Sequence, residues 1–242
     1  MILNMKKKIS ISNVTLLAAT SVDIEQTNLN LKISSENIEF AAIKLLSSSP
    51  PEKKFPGIEY VPIPLMQFYD YSRLMIEDLH KYFSTSHCLI VQADSFVVNF
   101  ENWNDEFLKF DYLGAPWPDT MKVYNNSAVG YINLNFKKNT VGNGGFSLRS
   151  RKLVENTAKI NFDSLNFPLF NEDLIFCHYL YDEMISNEIR FASPKLAAQF
   201  SMEHEYVNNN YGQSVATVFG FHGKHLRNYF YKKYTLRSLI NK

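Results

Sequence analysis

Four short segments of the chain carry the side chains that could do chemistry. Asp94 directly follows an apolar run in LIVQADSFVV, and a carboxylate between two apolar segments costs several kcal/mol unless it binds a partner. A glycine-rich stretch at 142–145, the acidic pair Glu172 and Asp173, and His222 in FGFHG follow later. Together they offer ligands for a metal ion, a general base, and backbone that can approach a ligand closely.

Each segment also has an ordinary structural interpretation. Asp94 could cap a turn after a strand, and GNGG could be a tight turn. The sequence NED could be an N-cap asparagine followed by acids that a helix dipole favours, and the histidine could be a satisfied residue in a turn. Taken alone, Asp94 favours the structural interpretation. The order of the four segments along the chain is what favours a functional site.

The elements that must position these side chains alternate between strand and helix. Residues 13–19 predict a buried strand, 23–38 a weak helix, and 40–48 a second strand. This alternation favours an α/β fold with a mostly parallel sheet flanked by helices. Residues 88–92 predict a further strand that ends just before Asp94. Ligands of open α/β sheets bind outside the carboxyl ends of strands, so topology also places Asp94 at a site.

The rest of the chain predicts further helices and one segment for which two structures are considered. Residues 64–83 have helical spacing of their apolar side chains, and residues 149–159 and 171–185 predict two more helices. The polar segment 119–139 predicts either a mobile flap or a short hairpin. A further strand is expected to end near Pro194.

Composition limits the class of protein. The chain has 242 residues, of which 45% are hydrophobic and 14% aromatic, which argues for one folded domain and against disorder. Its formal charge of +1 excludes a global basic surface for nucleic acid, so we expect no nucleic-acid partner. Cys88 and Cys177 have apolar neighbours and predict buried, reduced thiols. The lysines near the start imitate a signal peptide, but the alternating polar residues after them favour a first strand and a cytoplasmic protein.

The motifs in this order resemble those of GT-A fold glycosyltransferases. In that superfamily a DxD motif holds a divalent metal and the diphosphate of a nucleotide-sugar, a glycine-rich loop flanks the sugars, an xED motif supplies the base of inverting members, and a late histidine completes the metal shell. The segments FDYLGAPW, VGNGGFSLRSR, NEDLIFC and FGFHG are similar to a little-characterised bacterial and viral glycosyltransferase family. The resemblance implies a GT-A-like, Rossmann-like domain over residues 1–223, followed by a basic, aromatic tail at 224–242.

The resemblance implies a role for each acidic residue and for the histidine. Asp173 would be the base, Glu172 would support it or bind the acceptor, and Asp94 with His222 would hold Mn²⁺ or Mg²⁺. Adjacent residues of a helix diverge by about 100°, so the two acids cannot aim at one atom. This divergence argues against a glycoside hydrolase, in which two carboxyl groups face each other across the bond.

The resemblance also implies a nucleotide-sugar donor, of the UDP type, and a glycan or lipid-linked acceptor. The residues expected to bind the donor are Thr20, Arg73, Gln92, Asp94, Asn143, Gly144 and Gly145. Gln92 departs from the family pattern because it stands where the first acid of the DxD motif would be, and it brings no charge. Arg73 is a candidate for the diphosphate, with an exposed helix arginine as the equal alternative.

Two rival functions and two interpretations of the tail stay open. The fold could be a non-catalytic module that binds a nucleotide or glycan, an alternative that Gln92 favours, or it could be a metal-dependent nucleotide-sugar phosphohydrolase. The tail could pack its aromatic side chains on the domain, or it could rest peripherally on an anionic membrane. Its cationic and aromatic residues are Lys224, Arg227, Tyr229, Phe230, Tyr231, Lys232, Lys233, Tyr234, Arg237 and Lys242.

Overall fold

The computed structural model describes residues 8–125 and 130–240, with side chains described as far as residue 233. The strands are β1 (Ile9–Thr20), β2 (Ile38–Ser47), β3 (Glu59–Pro62), β4 (His87–Val91), β5 (Ser95–Val97), β6 (Tyr112–Leu113), β7 (Thr120–Asn125), β8 (Gly130–Asn135), β9 (Phe146–Ser150), β10 (Ser201–Met202) and β11 (Gly220–His222). The α-helices are α1 (Ile24–Ser34), α2 (Phe68–Arg73), α3 (Arg151–Thr157), α4 (Glu172–Leu174), α5 (Tyr181–Ser186), α6 (Pro194–Phe200), α7 (Glu205–Asn210) and α8 (Lys224–Ile240).

The central sheet has six strands in the order β3-β2-β1-β4-β9-β6. The four strands from β3 to β4 run parallel, and β9 is antiparallel to both of its neighbours. The prediction of a mixed, mostly parallel sheet flanked by helices is therefore confirmed. Strand β4 is buried over its whole length, which explains why it reads as a continuous apolar run.

Alternate residues of the central strands supply two separate layers of core. Leu16 and Leu89 pack with Leu31 of α1 on one face of the sheet. Leu17 and Ile90 pack on the other face, with side chains of the segment after α2 and with α3. The period of two along each strand produces this division, because successive side chains point to opposite faces.

Two of the predicted helices are real but interrupted. The helix expected at 64–83 begins at Phe68 and continues from α2 into a π-helical turn at Leu74–Asp78 and a 3-10 turn at Leu79–Lys81. The helix expected at 171–185 is likewise split between α4 and α5 by a π-helical turn, Ile175–Tyr179. Such π-helical turns are frequent at functional sites.

The polar segment 119–139 forms a hairpin, which was one of its two predicted forms. Strands β7 and β8 pair antiparallel from Thr120↔Asn135 to Asn125↔Gly130, and residues 126–129 between them lie outside the described part of the chain.

The prediction of a strand that ends near Pro194 is wrong. Phe191 makes a single bridge to Tyr112, and α6 begins at Pro194. The hydroxyl of Ser193 accepts a hydrogen bond from the N–H of Leu196 at 3.3 Å, and proline suits the first helical position. The Ser-Pro pair is a start signal for a helix, and it overrides the apolar run before it.

A small second sheet, in the order β10-β11-β5, carries the start of the tail helix. Leu226 and Phe230 of α8 are buried against Phe221 of β11, and Tyr231 stacks on Phe96 of β5 at 5.1 Å between ring centroids. The first turns of the tail therefore pack on the domain, as one interpretation of the sequence predicted. The side chains of Tyr234, Arg237 and Lys242 lie outside the described residues.

The structure describes both cysteines and the apolarity of the helices. Cys88 and Cys177 are both buried and free, as expected. Within residues 8–125 and 130–240, no helix is both long enough and apolar enough to cross a membrane.

The packing of α8 predicts that Phe230→Ala destabilises the fold. The ring is 2% exposed and stacks on Phe221 at 4.7 Å, so its removal leaves a cavity that should cost about 3–5 kcal/mol. The matched control is Tyr229→Ala, because that neighbouring ring is 50% exposed and its loss should stay within about 0.5 kcal/mol. Urea unfolding of the two variants measures the difference, and equal midpoints would show that α8 does not pack on the domain in solution.

Candidate functional site

The turn after β4 connects the strand end to the glycine-rich loop. The hydroxyl of Ser95 accepts a hydrogen bond from the N–H of Gln92 at 2.7 Å and donates one to the carbonyl of Gly145 at 2.6 Å. Ser95 is fully buried, so these bonds hold the turn firmly. The turn presents Asp94 beyond the carboxyl end of β4, where the sequence placed it.

Strand pairing brings His222 to Asp94. Strands β5 and β11 pair antiparallel with His222 opposite Ser95, the residue after Asp94. The Nε2 atom of His222 lies 3.3 Å from Oδ1 of Asp94, and its Nδ1 atom lies 3.3 Å from Oε1 of Glu203. No local sequence pattern pointed to Glu203. It reaches the histidine because it follows β10, which pairs with β11.

The two carboxylates control the charge of the imidazole. Burial opposes the charged form of His222, but its hydrogen bonds to Asp94 and Glu203 raise its pKa to about 10. Burial likewise opposes the charged form of Asp94, but the hydrogen bond to His222 holds the pKa of Asp94 below its usual range. The group is therefore an imidazolium between two carboxylates, and binding of a metal at Nε2 requires loss of that proton.

The chemistry of Asp94 and His222 fits a divalent metal that has other ligands as well. Adjacent ligands of an octahedral ion with bonds of about 2.1 Å are about 3.0 Å apart, close to the 3.3 Å between Asp94 Oδ1 and His222 Nε2. Glu203 stands behind the imidazole, as a carboxylate commonly does behind a metal-binding histidine. The described residues contain no group of three or more acids, histidines or cysteines that could hold a metal. The remaining ligands would therefore be water or oxygens of a bound molecule.

The glycine-rich loop approaches the acidic pair and the histidine too closely for any side chain. A Cβ atom on Gly144 would overlap Oε1 of Glu172, and one on Gly145 would overlap Nε2 of His222. The N–H of Gly144 donates a hydrogen bond to Oδ2 of Asp173 at 2.9 Å. Glycine is thus required at both positions, because the backbone itself lies between the two groups of functional side chains.

Asn143 holds the start of this loop in a conformation that asparagine adopts more readily than most residues. Its φ is 67°, and its Oδ1 accepts a hydrogen bond from the N–H of Gly145 at 3.1 Å. The side chain is 2% exposed, and its Nδ2 has no hydrogen-bond partner among the described residues. A buried amide donor without a partner is costly, and a ligand that accepts from it would remove the cost.

Glu172 is held by a buried arginine. The Nη2 atom of Arg149 lies 2.9 Å from Oε1 of Glu172, and the two side chains are 1% and 8% exposed. The guanidinium also lies 5.4 Å from the ring centroid of Phe176. Arg149 stands in an apolar strand, FSLRS, and this was the only signal in the sequence that it has a buried partner.

Asp173 is half-buried, whereas the neighbouring Glu172 is buried. Burial and the nearby Glu172 raise the pKa of Asp173 to about 7, against hydrogen bonds from the backbone of Gly144 and Leu174. A carboxylate with a pKa near neutrality is suited to take a proton at physiological pH. The two adjacent acids therefore have separate environments, as their divergence on a helix predicted.

Two clefts meet at this site. The acidic cleft, of about 480 Å³, contains Asp173, Glu172, Glu203 and His222, and residues 121–124 of β7, which include Lys122, line one of its walls. The basic cleft, of about 360 Å³, lies beside it. It is lined by Thr20, Asp23, Asp94, Lys224 and Arg227 together with the apolar side chains of Met66 and Phe68.

The clefts share the side chains of Phe68, Tyr71 and Gln92. The Nε2 atom of Gln92 donates a hydrogen bond to the hydroxyl of Tyr71 at 2.6 Å, which leaves its Oε1 towards Gly145. Burial, with Glu172 nearby, raises the pKa of Tyr71 above its usual value, so the phenol stays protonated. A neutral, hydrogen-bonded pair therefore separates the two clefts.

The structure brings together all but one of the residues that the sequence assigned to a site. Thr20 and Asp94 line the basic cleft, Gln92 lines both, and the acidic cleft holds Asn143, Gly144, Gly145, Glu172, Asp173 and His222. Arg73 lines neither cleft. Its Nη1 atom donates to Oδ2 of Asp163 at 2.9 Å, and its guanidinium lies over the ring of Phe162 at 5.2 Å. The structure therefore gives Arg73 a surface ion pair, which was its alternative interpretation.

A known family covers the acidic cleft and part of the basic cleft. The family described as "Protein of unknown function (DUF5672)" matches residues 58–222, from before β3 to the end of β11. The chain belongs to this DUF5672 family. The match includes the Asp94 turn, the glycine-rich loop, the acidic pair and His222, and it ends just before α8. Among curated proteins, no match to this DUF5672 chain was found.

Some solved structures are distantly similar to this chain. The apo form of the glycosyltransferase GlyE from Streptococcus pneumoniae TIGR4 is 12% identical over 91% of this chain and 59% of its own, with a TM-score of 0.44. The chain thus spans about 59% of the length of GlyE. The 2-C-methyl-D-erythritol 4-phosphate cytidylyltransferase from Thermus thermophilus is 11% identical over 75% of this chain and 94% of its own, with a TM-score of 0.38.

The raised pKa of Asp173 predicts a pH-dependent effect of Asp173→Asn on stability. Between the unfolded value of 3.8 and the folded value of about 7, the folded chain keeps a proton that the unfolded chain loses. The stability that this proton contributes is complete below 3.8 and is lost as the pH rises to about 7. The variant cannot titrate, so its stability relative to the wild type should increase from pH 4 to pH 8.

Denaturant unfolding at four pH values between 4 and 8 measures this trend. The matched control is Asp119→Asn, the same chemical change at an exposed carboxylate, which should keep a constant difference from the wild type. A difference for Asp173→Asn that does not change with pH would contradict the raised pKa.

Proposed function

We propose that this DUF5672 chain is an inverting glycosyltransferase that moves a sugar from a nucleotide-sugar donor to a hydroxyl of a glycan or lipid-linked acceptor. The observation that carries the proposal is the placement of Asp173 in the acidic cleft, with the Asp94–His222 pair across the backbone of Gly144 and Gly145. This arrangement supplies a proton acceptor on one side and a phosphate-binding edge on the other.

The acceptor would bind in the acidic cleft. Its hydroxyl would give its proton to Asp173 while the oxygen attacks the anomeric carbon of the donor, and the bond from that carbon to the diphosphate would break on the opposite face. With a pKa of about 7, a substantial fraction of Asp173 is ionised at neutral pH. Glu172 is committed to Arg149, so it supports the loop and the helix start instead of sharing the proton.

The donor would bind in the basic cleft, with its sugar at the junction beside Gln92. Thr20 and the apolar side chains of Met66 and Phe68 would contact the nucleoside, of the UDP type, and the diphosphate would lie towards Asp94. The amide of Asn143 offers a free donor to a sugar hydroxyl from the acidic side.

Asp94 and His222 would hold Mn²⁺ or Mg²⁺, and the ion would supply positive charge where negative charge develops on the departing diphosphate. An imidazole ligand favours Mn²⁺ of the two. Because Gln92 replaces a carboxylate, the protein contributes little charge to the metal site, and we expect weak metal binding in the absence of nucleotide.

Gln92 also favours one rival function, a module of the same fold that binds a nucleotide or glycan without turnover. A phosphohydrolase has less support, because Glu172 is buried on Arg149 and is not free to activate water beside Asp173. We further propose a cytoplasmic location. Peripheral contact with an anionic membrane would fall to Lys232 and the residues after it, since Lys224 and Arg227 face the basic cleft.

Asp173→Asn should keep nucleotide binding and lose transfer. The amide retains the shape of the carboxylate but cannot accept the proton, so turnover should fall by roughly 10²–10⁴-fold. Release of nucleoside diphosphate from UDP-sugars, with and without an oligosaccharide acceptor, measures turnover, and calorimetry with UDP measures binding. Asp119→Asn, at an exposed carboxylate, is the control and should turn over like the wild type.

The same assay separates the rival functions. Release that needs the acceptor supports transfer, release at the same rate without it supports a phosphohydrolase, and binding without release supports a binding module. Full turnover in Asp173→Asn would remove that residue from the role of base.

Asp94→Ala should abolish the extra thermal stability that Mn²⁺ gives in the presence of UDP, and His222→Ala should weaken it. A ligand at about 100 times its dissociation constant adds roughly 2.7 kcal/mol, so the loss is measurable as a melting shift. If both variants keep the wild-type shift, the assignment of the metal ligands is wrong.

A further inference from the structure

We propose that the first turn of α8 forms the diphosphate subsite of the basic cleft, with Lys224 and Arg227 as the groups that bind the phosphate oxygens. This inference rests on the proposed function and assigns the ligand of the basic cleft as a nucleoside diphosphate. The start of the tail thereby becomes part of the site, although the sequence suggested either packing or membrane contact.

The two side chains line the basic cleft together with Thr20 and Asp94. The Nη1 atom of Arg227 donates a hydrogen bond to the carbonyl of Ala93 at 3.2 Å, and the N–H of Gly223 donates to the carbonyl of Asp94 at 3.0 Å. These bonds attach the start of α8 to the turn after β4. The side chain of Arg227 is therefore held beside Asp94, and the attachment of Gly223 places the backbone of Lys224 next to the same turn.

The charges of Lys224 and Arg227 are available to a ligand. Among the residues that the structure describes, neither side chain has a carboxylate within ion-pair distance, whereas Arg73 is bound to Asp163 and Lys44 lies 3.1 Å from Glu59. The carboxylates that line the cleft are Asp94, which is paired with His222, and Asp23 at the start of α1. Arg227 lies close enough to Asp94 for their charges to interact. No carboxylate of the described residues forms an ion pair with either cation, so both can still attract an anion.

The spacing and the shape favour a diphosphate that carries a nucleoside. Lys224 and Arg227 are three residues apart on one helix, so their stems are neighbours separated by roughly 5–6 Å, a distance that suits two linked phosphoryl groups. The positive end of the helix dipole of α8 also lies at this first turn and favours an anion there. Beyond the cations, the cleft of about 360 Å³ has walls from Met66, Phe68 and Tyr71. These side chains offer apolar contact to a nucleoside, and inorganic phosphate gains nothing from such contact.

These cations also change the expected metal dependence. An acid at position 92 would help to hold a divalent ion, and that ion would bring positive charge to the diphosphate. With Gln92 in its place, Lys224 and Arg227 supply positive charge from the protein itself. We infer that nucleoside diphosphate binds measurably without a divalent ion, and that the ion adds to this binding.

The experiment is a calorimetric titration of the full chain with UDP and with inorganic pyrophosphate, in EDTA and again in Mn²⁺. Lys224→Ala and Arg227→Ala should each weaken UDP binding in EDTA by about 10-fold or more, because each removes a charge-assisted hydrogen bond. The control is Lys232→Ala, an exposed cation on the same helix that does not line the cleft, and its affinity should stay within about 2-fold of the wild type. Thermal melting of each variant tests that the fold is retained, and Arg227→Lys, which keeps the charge, should recover part of the affinity.

The outcomes separate this inference from the proposed function. If both alanine variants bind UDP as tightly as the wild type does, the subsite is overturned and the glycosyltransferase proposal stays intact. No binding of UDP by the wild type, with or without Mn²⁺, would overturn the nucleotide assignment itself. A third outcome is that both variants bind vesicles of anionic lipid more weakly than the wild type but bind UDP equally well. That result would show that the cations serve a lipid headgroup, and it would also contradict the subsite.

Discussion

The buried ion pair between Arg149 and Glu172 is the contact on which the arrangement of the site depends. Two charges so far from water are costly unless they pair, so the start of α4 must lie where Glu172 can reach Arg149 of β9. The carbonyl of Gly144 also accepts from the same guanidinium at 3.4 Å. Sheet, loop and helix are thereby joined at one point, and the next residue, Asp173, accepts a hydrogen bond from the N–H of Gly144 in the same loop.

The same constraint produces the electrostatic difference between the two clefts. Burial, with Glu172 held beside it, raises the pKa of Asp173 to about 7, so this carboxyl group titrates near neutral pH. On the other side, the turn after β4 is attached to α8, whose first turn contributes cations. The neutral pair of Gln92 and Tyr71 lies between them. A reaction that takes a proton from one substrate and releases a diphosphate from the other matches this division of charge.

Much of the fold followed from patterns that are local in the sequence. The strands β1, β2 and β4, and the position of Asp94 beyond β4, could be predicted because apolar runs and strand ends depend on neighbouring residues. The strand expected near Pro194 failed because the Ser-Pro helix start outweighed an apolar run. The helix after Asn171 was predicted without its π-helical turn, which depends on packing that the sequence period does not show.

The partners of the site residues could not be predicted, because tertiary pairing selects them. Glu203 reaches His222 only through the pairing of β10 with β11, and Arg227 reaches the Asp94 turn only because α8 packs on the small sheet. The same reason explains Arg73, whose partner Asp163 lies far away in sequence. Residue types therefore identified the candidates, while the fold decided which of them line a cleft.

A crystal structure of the chain with UDP and Mn²⁺ tests the central claim most directly, with the metal located by its anomalous scattering. The account predicts the nucleoside in the basic cleft between Thr20 and Phe68, phosphate oxygens at Lys224 and Arg227, and manganese between Asp94 and His222. The open acidic cleft should then lead from the terminal phosphate to Asp173. Nucleotide bound outside the basic cleft, or manganese bound away from Asp94 and His222, would contradict the account.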